Sequence, residues 1–163
     1  MLSNTPEMVE AHYAVPALNA VLNTLNTRLD AHLLAWQMNH CEASVLITDS
    51  EFSVTTTKAL QLLKSEFRRE VLVIDVCDKE YQGPGQRVGQ HEYESWLSEH
   101  EPLVELKGPV DEWDAIAVSY TSGTTGDPKG VVTHHRGAYL NSVSNAVTWN
   151  MPNFPRYLWT LPM

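Results

Sequence analysis

The residues best equipped for chemistry lie in one stretch, Tyr120-Thr121-Ser122-Gly123-Thr124-Thr125-Gly126-Asp127-Pro128-Lys129-Gly130. Its eleven residues include three glycines, four aliphatic hydroxyls and one lysine. Glycine lets the backbone turn so that successive N–H groups converge on an anion. Hydroxyls add donors without adding charge, and a lysine supplies a mobile positive point. Together these make a loop suited to gripping phosphate. The common triphosphatase P-loop runs Gly, four residues, then Gly-Lys-Ser/Thr at the start of a helix. Here Lys129 stands three residues after Gly126 and leads into an apolar run, which disfavours that site. A merely flexible hairpin loop accounts for any six of these residues, but poorly for all eleven in this order.

Such a loop has to be held by regular elements on either side. Ile116-Ala117-Val118-Ser119-Tyr120 reads as a short strand, Gly130-Val131-Val132-Thr133 as its hairpin partner, and residues 136–148 as a helix that Pro152 and Pro155 end. Tyr157-Leu158-Trp159-Thr160-Leu161 reads as one more strand. Charge agrees with an anion site here. Residues 1–64 carry six acids and three bases, residues 65–114 thirteen and five, and residues 115–163 one and three. The last stretch alone is net positive.

Upstream, Asn4 or Thr5 can cap a helix with Pro6 at its first position, running to about Tyr13 or Val15. A short apolar run at 20–25 reads as strand, and Asp30 opens a second helix that leads to His40 and Cys41. Val45-Leu46-Ile47-Thr48 is a continuous, β-branched run of the kind covered on both faces, followed by an amphipathic helix at 53–63. Residues 71–76 make the clearest buried strand. Successive strand and helix alternation predicts an α/β fold: a parallel-sheet βαβ portion over 1–77, then a strand, phosphate loop, strand unit over 115–163. Between them, residues 78–114 read as an acidic, solvated surface segment with a turn at Gly83-Pro84-Gly85 and a short helix at 92–97.

The chain of 163 residues has a net charge of −9, which argues against non-specific nucleic-acid binding. Its apolar runs are too short to span a bilayer, and the first residues read as no export signal. Two cysteines make no disulfide framework, so the expected compartment is the cytoplasm. Cys41 and Cys77 read as core or near-core residues and Trp36, Trp149 and Trp159 as packing residues. The adjacent His134 and His135 would point to opposite faces of an extended segment and make a poor metal pair, and His135 reads as a helix-start residue.

Residues 120–130 resemble the phosphate-loop signature of the adenylate-forming enzymes, which include acyl-CoA synthetases, luciferases and peptide-synthetase adenylation domains. The likeness extends upstream through Ala20-Val21-Leu22-Asn23-Thr24-Leu25-Asn26-Thr27-Arg28-Leu29-Asp30 and downstream through His134-His135-Arg136-Gly137-Ala138-Tyr139-Leu140-Asn141. These flanks are most similar to ligases of short or medium fatty acids, including the methylmercaptopropionate CoA ligases. The resemblance implies part of the family's N-terminal domain. It also implies a two-step reaction in which a carboxylate attacks the α-phosphorus of Mg·ATP and the thiol of coenzyme A captures the acyl-adenylate.

By the same resemblance, Thr121, Ser122, Gly123, Thr124, Thr125 and Gly126 would wrap the β and γ phosphates. Lys129, the one catalytic residue expected, would neutralise part of the departing pyrophosphate, and no metal ligand is expected from the chain. The implied cofactors are ATP, Mg2+ and coenzyme A, and the implied partners a small carboxylic acid and a complementing fragment or second copy. The family's adenine, ribose and C-terminal lysine segments are expected to lie outside this chain, which is therefore expected to be inactive alone. A phosphate-binding or fragment-complementing module is the alternative, with an independent triphosphatase third.

Overall fold

The computed structural model describes residues 1–163 apart from Val104, Lys107 and residues 122–126. Twelve residues from Pro6 form the first helix, α1 (Pro6–Ala17), with Thr5 at its N-cap. A two-residue strand β1 (Leu22–Asn23) follows. Helix α2 (Ala31–His40) starts where Asp30 accepts a hydrogen bond from the Leu33 amide at 2.8 Å, the cap expected of that aspartate. Then come β2 (Val45–Asp49), α3 (Ser53–Phe67) and β3 (Leu72–Val76).

Strands β2 and β3 pair in parallel, Val45 with Leu72 through Asp49 with Val76. Their neighbouring residues face opposite sides of the sheet, and both sides are covered. Leu46 packs into a cluster with Leu34, Ala35, Met38, Ala59 and Leu63 from α2 and α3. Ile47 packs against a second cluster of Leu2, Met8 and Val76. This two-sided burial is why the strand sequences run apolar without alternation.

The acidic segment contributes more to this sheet than a solvated excursion would. Its residues His91–Glu92 form β4, parallel to β3, and α4 (Tyr93–Ser98) continues from it. The cause is Asp75, fully buried in β3, whose carboxylate accepts hydrogen bonds from the Val88 and Gly89 amides at 2.9 and 2.7 Å. Gly89 lies so close to β3 that a Cβ there would fall 2.2 Å from the Val73 carbonyl oxygen. Glu92 caps α4, accepting from the Ser95 amide at 2.9 Å, and its carboxyl is held below its ordinary pKa mainly by the Ser95 hydroxyl and amide.

The second sheet holds β1, β5 (Ala115–Thr121) and β6 (Lys129–His134) in the order β1, β5, β6. Parallel β1 meets β5 through Leu22 with Ala117 and Asn23 with Val118. The alternation reading therefore needs one correction: β1 leaves the β2–β3 sheet and joins the sheet of β5 and β6. Helix α5 (His135–Thr148) follows β6 directly.

Residues 157–161 form no strand. This segment is tied to the N-terminus, where the Asn4 side chain donates to the Leu161 carbonyl at 2.8 Å and accepts from the Met163 amide at 3.0 Å. Trp159 is exposed beside Tyr157, and Trp149 is exposed as well, so the packing role expected of these two does not hold. Cys41 is half-buried, but Cys77 is exposed rather than in the core.

Candidate functional site

The hairpin that carries the candidate loop closes in defined register: Tyr120 opposes Gly130, and Thr121 opposes Lys129. Directly opposed residues of an antiparallel pair share a face, and successive residues alternate. Thr121 and Lys129 therefore emerge on one face of the hairpin, and Tyr120 on the other. Both Thr121 and Lys129 are exposed. Of the predicted phosphate-binding residues, the structure thus places Thr121 and Lys129 side by side at the mouth of the loop. Ser122, Gly123, Thr124, Thr125 and Gly126 lie outside the described residues.

The opposite face is occupied by α2. The Tyr120 hydroxyl and His40 Nδ1 share a hydrogen bond of 2.6 Å. Trp36, one turn earlier on α2, stacks on the His40 ring with centroids 4.8 Å apart and meets Tyr120 edge-on at 5.9 Å. Burial, with Cys41 adding to it, pushes the Tyr120 phenol above its ordinary pKa, so the hydroxyl keeps its proton at neutral pH. Beneath the hairpin, a Cβ on Gly130 would lie 3.1 Å from Val118 Cγ2 and 3.6 Å from the Tyr120 ring. The motif's last glycine is thus crowded by the strand opposite, which is a constraint of space rather than of backbone angle.

The far end of β6 is fixed by the two adjacent histidines. His135 is the first residue of α5, as the sequence implies, and His134 is the N-cap before it, whose Nδ1 accepts from the Gly137 amide at 2.9 Å. The His134 ring lies against Trp113 at 4.7 Å, and the Arg136 guanidinium sits over the same indole. The spacing of His134 and Gly137 is that of an N-cap and its N3 partner, a signal masked by the rarity of histidine in that position. His40 and Trp36 carried no comparable signal, since their partner is about eighty residues away.

Other candidate groups fare less well. Cys77 is raised in pKa, first by burial and then by Glu92 and Asp75, which leaves its thiol protonated and a weak nucleophile. No group of three His, Cys, Asp or Glu side chains among the described residues converges as a metal site. No helix among the described residues is long and apolar enough to cross a membrane.

Comparison with known proteins places this hairpin in context. The family described as AMP-binding enzyme matches residues 1–163. The chain belongs to that family. It is 42% identical over 167 residues to a peroxisomal acetate/butyrate–CoA ligase of Arabidopsis thaliana, covering 98% of this chain and 29% of that protein. An acetate–CoA ligase of Humulus lupulus is equally similar, at 42% identity and the same coverage.

Among solved structures, o-succinylbenzoate CoA synthetase from Bacillus subtilis in complex with AMP superimposes with a TM-score of 0.74 at 26% identity, over 99% of this chain and 35% of that one. The same synthetase with its acyl-adenylate intermediate gives 0.72 at 27%, over 99% and 36%. The fold is therefore that of the N-terminal part of adenylate-forming enzymes. The chain spans 29% of the length of the first curated relatives it matches.

Proposed function

We propose that this chain is the phosphate-loop portion of an ATP-dependent acyl-CoA synthetase acting on a short or medium carboxylic acid. Its likeness across nearly its whole length to ligases named for acetate and butyrate is the observation that carries this reading. In the parent reaction a carboxylate oxygen bonds to the α-phosphorus of ATP as the bond to pyrophosphate breaks. The thiol of coenzyme A then attacks the acyl carbon, and AMP departs. Both steps need charge stabilisation rather than a covalent enzyme nucleophile.

In this reading residues 1–77 and 115–163 supply the supporting and phosphate-binding parts of an adenylation domain, with 78–114 as its acidic surface segment. Loop residues Thr121, Ser122, Gly123, Thr124, Thr125 and Gly126 hold the β and γ phosphates. Lys129 places its ammonium where pyrophosphate charge develops. The shared face and exposure of Thr121 and Lys129 support these roles. Mg2+ would arrive bound to the nucleotide phosphates and screen their charge. The free thiols of Cys41 and Cys77 fit a reducing cytoplasm as the compartment.

Alone, the chain is expected to bind MgATP weakly and to show no carboxylate-dependent exchange between ATP and pyrophosphate. Calorimetry should find that Lys129→Ala weakens that binding about tenfold or more, the effect of losing a charge-assisted contact. Substantial exchange by the purified chain would overturn its inactivity, and steady ATP hydrolysis abolished by Lys129→Ala would revive the triphosphatase reading.

One observation favours a second reading, a module that pairs with a complementing polypeptide. Val131 and Val132 of β6 and Tyr139, Leu140, Val143 and Val147 of α5 are all exposed. Capture of the chain by the complementary part of a related ligase would support that reading, and failure of such capture would remove it.

A further inference from the structure

The last turn of α2 is docked onto the sheet that carries the loop, and it is docked twice. Asn23 of β1 donates to Cys41 Sγ, just past the end of α2, at 3.3 Å. His40 meets the Tyr120 hydroxyl at 2.6 Å on the neighbouring strand β5. The remainder of α2 is fixed from the other direction, because Leu34, Ala35 and Met38 are buried in the core beneath it. A helix clamped into a packed core thus presents two stacked rings, Trp36 and His40, to one tyrosine. That tyrosine immediately precedes Thr121 and opposes Gly130, so it lies one residue from each partner of the Thr121 and Lys129 pair.

We infer that His40 and Trp36 are positioning residues, forming a buttress behind the loop that sets where Thr121 and Lys129 emerge. Three features make the arrangement suited to this. Tyr120 meets α2 on one side, and across the hairpin it faces Gly130, where a Cβ would lie 3.6 Å from its ring, so only a residue without a side chain leaves the ring this room. The hydrogen bond at the ring's tip fixes its height against the helix. Because alternation sends Thr121 and Lys129 to the opposite face, the buttress stiffens the hairpin without occupying the space a phosphate would need. The phosphate part of this inference rests on the function proposed above, whereas the buttress itself does not.

Hydrogen exchange on the 163-residue chain tests it. Tyr120→Phe removes the hydroxyl alone and keeps the ring, and His40→Ala removes the partner. Each is expected to speed amide exchange in 115–121 and 129–134 by about three- to tenfold, the range one hydrogen bond supplies, with α3 and β3 unchanged. The double variant should exchange no faster than either single variant, since both act through one bond. His40→Asn, whose amide sits near the position of Nδ1, should recover much of the loss.

In parallel, titration with inorganic tripolyphosphate should show affinity falling in Tyr120→Phe and His40→Ala while the melting temperature stays within a few degrees. Lys129→Ala should lose affinity with β5 exchange unchanged. Unaltered exchange in the hairpin in both single variants, or equal acceleration throughout α3 and β3, overturns the buttress. A wild-type chain that leaves tripolyphosphate unbound overturns the phosphate reading, and the exchange rates then decide the buttress alone.

Discussion

The two sheets of this molecule are built to different standards. The sheet of β2, β3 and β4 is enclosed: Leu34, Ala35, Met38, Ala59 and Leu63 are almost fully buried against one side, and Leu2, Met8 and Val76 against the other. In the sheet of β1, β5 and β6, β5 and β6 contain no buried residue, and neither does the α5 helix that follows them. Stability is therefore concentrated where there is no candidate chemistry, and the candidate chemistry sits where there is little packing. A phosphate-binding loop depends on where its donors stand more than on apolar burial. What it needs from the enclosed half is a fixed frame, and α2 conveys that frame to Tyr120.

This contrast can be broken experimentally. Leu34→Ala in the enclosed half should cost about 3–5 kcal/mol, the range for a fully buried leucine that leaves a cavity, whereas Val143→Ala on α5 should cost under about 0.5 kcal/mol. Chemical denaturation of the two variants measures this directly. Comparable costs would mean that α5 is buried in solution.

A pH effect comes next. The Met1 α-amine donates to the Ile47 carbonyl at 2.6 Å within the enclosed half, and burial lowers its pKa from 8.0 to about 5, against a smaller opposing pull from Asp49. Its folded pKa lies below its unfolded one, so the unfolded chain binds more protons between those values. Stability should be complete above pH 8 and should fall as pH drops toward 5, by about 3 kcal/mol between pH 9 and 5.5. Acetylating the amine should flatten that slope, as measured by urea midpoints across the range.

Smaller still, Asp75→Ala should cost about 2 kcal/mol, because the Val88 and Gly89 amides lose their acceptor. Exchange should rise in 88–92 ahead of the rest of the sheet. A cost confined to the second sheet would contradict the assignment of β4 to the enclosed half.

Much of the enclosed half is legible in the sequence because its signals are local. Asp30 sits at the head of an apolar helix, and the runs at 45–48 and 71–76 are β-branched and uninterrupted. The hairpin is legible for the same reason, with two short strands flanking a loop rich in glycine. What escapes is pairing at a distance. Two residues, Leu22 and Asn23, cannot announce whether they will join the strand that follows or one almost a hundred residues later. The β4 pairing depends on a buried aspartate reaching amides thirteen and fourteen residues onward, which no periodicity records. Residues 157–161 have the composition of a strand, but a strand requires a neighbour as well as a composition. Tyr120 reads as the first letter of a phosphate motif, and only the fold adds its second role against His40.

The register of the hairpin has one more consequence. Thr121 and Lys129 are opposed across a connection of seven residues, and in a pleated ladder a slip of one position turns every side chain over. If β6 slid by one position against β5, Lys129 would leave the face of Thr121 and appear on the side where α2 lies. Register here acts as a parity device: the pairing of β5 with β6 decides on which side of the sheet the positive charge appears.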